Sequence, residues 1–112
     1  MLGQGTKQRK PWEGRVELGQ RIIKVEVPAP PVVVLTFADG YVASMNLQYL
    51  LDSGKIFEPI RDPALFRSAH PGSGGHSLEW ITPDGSEIDL CADSLRMQAE
   101  GIWDPVKQQW NV

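Results

Sequence analysis

The tetrad Thr82-Pro83-Asp84-Gly85 stands between two short runs, Ser77–Ile81 and Ser86–Leu90. Proline presets φ, the aspartate bonds its own backbone, and glycine takes the left-handed position, so the chain must reverse there. Leu78 and Trp80 then share one face of a hairpin, and Ile88 and Leu90 meet them across the ladder. Asp39-Gly40 repeats the signal between Val32–Phe37 and Tyr41–Met45, which predicts a two-residue hairpin turn and antiparallel neighbours. Val32–Phe37 is apolar except for Thr36 and reads as a central strand buried on both faces. Before it, Ile23, Val25 and Val27 alternate with Lys24 and Glu26, a strand with one dry face, with Arg15–Leu18 a candidate partner across Gly19. Three prolines in Pro28–Pro31 should end it.

Helical signals are short. Asn46 is placed to cap a helix through Gln48 or Tyr49, with Leu47, Leu50 and Leu51 facing the sheet and Gly54 closing it in the left-handed conformation. Ile56, Phe57 and Ile60 should return to the core. Asp62-Pro63 pairs an N-cap acid with proline at the first helical position, ahead of Leu65 and Phe66. His70–His76, with four Gly or Pro in seven residues, reads as a mobile loop. A last helix capped by Asp93 would run through Leu95, Met97 and Ala99 to Gly101. The expected fold is α+β: an antiparallel β-sheet built from hairpins, with two or three short helices packed on one face. The expected organisation is a flexible basic tail at 1–14, one domain at 15–100 and a tryptophan-bearing tail at 101–112.

Composition narrows the function. A chain of 112 residues is long enough for one core. Its least polar stretch is far shorter than the about 20 residues that span a bilayer, and the start lacks an apolar signal core, so a cytoplasmic location is expected. One thiol, Cys91, cannot form an internal disulfide, and no paired Cys/His spacing suggests zinc. Residues 1–15 carry a local charge of +3 from Lys7, Arg9, Lys10 and Arg15 against Glu13, while the remainder carries −6. Those four cations could meet a nucleic acid, but they are fewer than the typical 6 to 10 phosphate contacts and the acidic body opposes the same backbone, so a solvated tail is the preferred reading.

The order of features resembles the bacterial domain-of-unknown-function family numbered 2442. The resemblance runs from about Ile22 to Met97 and rests on Asp39-Gly40, Asn46-Leu47, Leu50-Leu51, the string GKIFEPIRDPALF at 54–66, Leu78-Glu79-Trp80, Asp84-Gly85, Asp89-Leu90 and Leu95. The chain departs from the family at Asn46, where an acid is usual, and in its longer link from Trp80 to Gly85. The resemblance implies small bacterial or phage cytoplasmic proteins of α+β fold without established catalytic residues. Some are encoded beside a second small protein in what look like toxin-antitoxin or regulatory pairs. Relatives with an added helix-turn-helix exist, but this chain leaves no room for one after residue 100.

Candidate chemistry is sparse. His70 and His76 with Asp62 or Asp84 could form a metal site or acid-base pair, but a spacing of six fits no helical or hairpin ligand pattern. Cys91 follows a strand and reads as inert packing. Ser44 and Ser94 lack a GxSxG setting. Asp62 is accounted for as a cap, Arg61 as the partner of a nearby acid, and Trp80 as core. Trp103 and Trp110 differ: the tail that carries them either folds back over a sheet edge or presents aromatic surface to another chain. The expectation is therefore a non-enzymatic interaction or regulatory module without cofactor or metal. Its partner would be another small protein, as for the antitoxin-like member of a two-gene pair, or a second copy of itself. A nucleic-acid-associated regulator and a small metal-dependent enzyme are the rivals.

Overall fold

Residues 17–111 are described by the computed structural model. The first sheet has the order β1 (Ile22–Ala29), β2 (Val32–Phe37), β3 (Val42–Asn46), both pairings antiparallel. Its second turn is a three-residue loop rather than a two-residue one. Phe37 N donates to Tyr41 O at 2.8 Å, Gly40 N donates to Phe37 O at 2.9 Å, and Gly40 has φ +92°. A left-handed glycine after a tight turn inserts the bulge that lets three residues connect twisted strands.

Two strand expectations need correction. In β1 the inward residues are Ile22, Val25 and Val27, while Ile23 is exposed, because an irregularity between Ile22 and Lys24 shifts the phase of the pleat by one residue. The prolines do not stop β1 at Val27. It pairs on to Ala29, as an edge strand can afford missing donors on its open side. In β2 only the face of Val33, Leu35 and Phe37 is fully buried; Val32, Val34 and Thr36 are half-buried. Glu17 and Leu18 form no strand, and the rest of that proposed partner lies outside the described residues.

The second sheet has the order β4 (His70–Pro71), β5 (Ser77–Ile81), β6 (Glu87–Cys91), again antiparallel. Trp80 pairs with Ile88 and Leu78 with Leu90, as the sequence pattern predicts. The connecting turn repeats the first: Thr82 N to Ser86 O at 2.8 Å, Gly85 N to Thr82 O at 2.9 Å, Gly85 φ +87°. His70–His76 is not an irregular loop, since β4 and a 3-10 turn at Ser73–Gly75 occupy it and Gly72 N bonds Ser77 O at 2.8 Å. The two sheets meet along β1 and β4.

Three short α-helices complete the core: α1 (Gln48–Leu51), α2 (Pro63–Phe66) and α3 (Ala92–Ala99). Asn46 Oδ1 accepts from Gln48 N at 2.8 Å, the bond the sequence predicts, with Leu47 standing between Asn46 and the first helical residue. Gly54 does not close α1; its φ of +136° lies outside the left-handed helical well and opens a 3-10 segment, Lys55–Arg61. In that segment Ile60 is buried and Phe57 half-buried, but Ile56 is 75% exposed. Asp62 caps α2 as expected, accepting from Ala64 N at 3.1 Å with Pro63 next in line. Among the described residues Arg61 pairs with no acid; its Nε donates to Leu51 O at 2.8 Å. Trp80 is fully buried, tilted against Phe66 and donating from Nε1 to Phe66 O at 3.0 Å. No helix among the described residues is long and apolar enough to cross a membrane.

Candidate functional site

Helix α3 organises the surface that stands out chemically. Its N-cap is Cys91, not Asp93; the Asp93 carboxylate instead accepts from Gly19 N at 2.8 Å. Ala92 and Leu95 face the core, and Arg96 projects the same way. The Arg96 guanidinium donates to both oxygens of Asp39 at 3.1 and 2.7 Å, bonds Glu100 through Nε, and lies 4.9 and 4.2 Å from the Phe37 and Tyr41 ring centres. Bidentate pairing and cation–π contact favour Arg here over any other cation. The Arg96 hydrogen bond holds the Asp39 carboxyl below the usual carboxylate range. Tyr49 donates to Gln98 Oε1 at 2.6 Å, and burial pushes its phenol pKa up. α3 is thereby bolted to the first sheet.

Past Ala99 the helix ends in a Schellman motif: Ile102 N donates to Met97 O at 2.9 Å, Gly101 N to Gln98 O at 3.1 Å, and Gly101 has φ +76°. That reversal throws the C-terminal segment back along α3. There it forms a hairpin of its own, β7 (Trp103–Asp104) and β8 (Gln109–Trp110), which is separate from both larger sheets. Asp104 Oδ1 accepts from Val106 N at 2.9 Å and Lys107 N at 3.0 Å, fixing the turn with Pro105 just after it. Trp103 and Trp110 are direct cross-strand partners, their rings edge-on with centres 4.6 Å apart.

These two rings, with Met97 and Ser94 one helical turn apart on α3, line a cleft of about 260 Å³. Both tryptophans are half-buried. Among the described residues, those that line the cleft are not ionisable. It suits an apolar side chain. The sequence marks the two tryptophans but not their union; the signal for that union is Asp104-Pro105, an aspartate-first turn with proline second, set between them.

The other candidate residues do not converge. His70 is half-buried with Nδ1 3.0 Å from Ser68 O, and His76 is exposed. Asp62 is committed to its helix, and Asp84 to the β5–β6 turn, where it bonds Thr82 Oγ1 and accepts from Ser86 N at 3.0 Å. The Thr82 hydroxyl and the Ser86 amide lower the Asp84 pKa to about 2. Among the described residues no three His, Cys, Asp or Glu side chains gather closely enough to hold a metal ion. Cys91 is exposed rather than packed, because β6 is a sheet edge and residue 91 points away from the core that holds Ile88. Ser44 and Ser94 are exposed. Lys7, Arg9, Lys10 and Arg15 lie outside the described residues. No family model, curated protein or solved structure matches this chain.

Proposed function

We propose that this chain is a non-enzymatic protein-interaction module, and that the cleft formed by Trp103, Trp110, Met97 and Ser94 receives an apolar anchor from its partner. The observation that carries this reading is the edge-on tryptophan pair at 4.6 Å, held half-buried on a helix–hairpin unit over a cleft whose described lining residues are uncharged. Interfaces draw most of their affinity from a few such aromatic residues, because a large rigid ring loses little entropy when it is covered. The resemblance to family 2442 supports a regulatory role in the cytoplasm, with the protein encoded beside its partner as the antitoxin-like member of the pair.

The test is co-purification with the product of the adjacent reading frame, comparing wild type with Trp103→Ala, Trp110→Ala and Lys107→Ala. Lys107 lies in the same hairpin turn but does not line the cleft. The reading requires at least tenfold weaker association in each tryptophan variant and wild-type association in the lysine variant. Undiminished association in both tryptophan variants, or a wild-type monomer with no partner, would overturn it.

A further inference from the structure

A second concavity lies at the other end of the β5–β6 hairpin, where its turn faces the 3-10 segment at 55–61. Ile56 and Pro59 form one wall, Pro83 and Ile88 the apolar part of the other, and the groove measures about 410 Å³. Ile56, at 75%, is the most exposed of the large hydrophobic residues among those described. The groove's rim is fixed by the Thr82–Asp84–Ser86 bonds. Asp84 and Glu87, the two ionisable residues that line it, are both acidic. Lys55 adjoins Ile56 in sequence but does not line the groove. The fitting occupant is thus an apolar group flanked by cations.

The chain carries one such segment outside the described residues: Lys7-Gln8-Arg9-Lys10-Pro11-Trp12, three cations followed by proline and tryptophan. Its reach is of the required order. Gly19 is tied to Asp93, and Asp93 lies six positions from Glu87 along β6 and the start of α3, about 20 Å at most for extended chain. The seven steps from Trp12 to Gly19 span up to about 24 Å. We propose that the groove between Ile56 and Asp84 is the docking site of the chain's own Lys7–Trp12 segment, with Pro11-Trp12 against the apolar walls and the cations toward Asp84 and Glu87. The groove is then self-covered, independently of the tryptophan cleft.

Paramagnetic broadening in the full-length protein tests this. A nitroxide on Gln8→Cys, in a Cys91→Ser background, is expected to broaden the amides of Ile56, Asp84, Ser86 and Glu87 selectively. Reversing Lys7, Arg9 and Lys10 to Glu, with the nitroxide retained, should cut that broadening at least twofold, as should 0.5 M NaCl, because the attraction is between exposed charges. Trp12→Ala should cut it similarly. Broadening centred elsewhere, or nowhere, would overturn the proposal. So would broadening that appears only on the isotope-labelled, nitroxide-free copies in a mixed sample, since that would place the contact between molecules.

Discussion

The Arg96 guanidinium spans the distance from α3 to the β2–β3 turn and clasps both carboxylate oxygens of Asp39, 57 positions away in sequence. It fastens α3, one of the two elements that form the tryptophan cleft, to the first sheet. Met97 and Ser94 are on the same helix, so whatever holds α3 against the first sheet also holds one wall of the cleft in place.

The two ends of this pair are unequal. Arg96's side chain is 8% exposed and Asp39's 31%. Removing Asp39 leaves a nearly enclosed guanidinium with Glu100 as its one acidic partner among the described residues, whereas removing the guanidinium leaves two carboxylates, Asp39 and Glu100, that water can reach. Asp39→Ala is therefore expected to lower the thermal midpoint by several degrees. Arg96→Met, whose side chain still covers Phe37 and Tyr41, should cost less than Asp39→Ala. Thermal unfolding followed by circular dichroism ranks the two, and the reverse order would show that packing over the rings outweighs the charge pair.

Acid should weaken the fold in a defined window. Asp84 titrates near 2 in the folded chain against an ordinary 3.8, and Asp39 is shifted in the same direction. A depressed folded pKa gives stability that is complete above the unfolded value and disappears as pH falls through the folded one. The urea midpoint should fall between about pH 4 and pH 2 on account of these groups. Asp84→Asn should make that fall shallower, and an unchanged profile in the variant would refute the assignment.

Gly75 and Gly40 separate crowding from backbone strain. Both have positive φ, +78° and +92°, but a Cβ on Gly75 would lie 2.7 Å from Ile22 O and 2.9 Å from Arg21 Cβ, while Gly40 has open space. Gly40→Ala should cost about 1 kcal/mol for the left-handed conformation alone. Gly75→Ala should cost about 2–3 kcal/mol, because it must also push β1 away from the second sheet. Chemical denaturation of both variants measures the difference.

The tryptophan pair should show energetic coupling within the folded chain. Edge-on aromatic pairs contribute about 0.5–1.5 kcal/mol beyond their buried area. A double-mutant cycle over Trp103→Ala and Trp110→Ala should return a value in that range, and zero coupling would mean that the hairpin is held by bonds other than the ring pair, such as those of Asn111 and the Asp104 turn.

Much of this architecture is legible from short-range chemistry. Both glycine turns, the Asp62-Pro63 helix start and the inward set Leu78, Trp80 and Ile88 follow from residues within a few positions of one another, since φ preferences and side-chain-to-backbone bonds act over that range. Three departures from that pattern share one cause. The phase of β1 depends on how it meets β2, the exposure of Cys91 on which side of an edge strand stays open, and the exposure of Ile56 on where the 3-10 segment lies. None of these is written in a local pattern.

By itself the sequence determined where the chain turns and which residues seek the interior, because those are properties of single residues and near neighbours. Tertiary structure alone decided that Arg96 would find Asp39, that β1 and β4 would lie side by side, and that Trp103 and Trp110 would close over Met97. Each of those unions joins surfaces set by different elements, and their energy exists only once packing has brought the elements together.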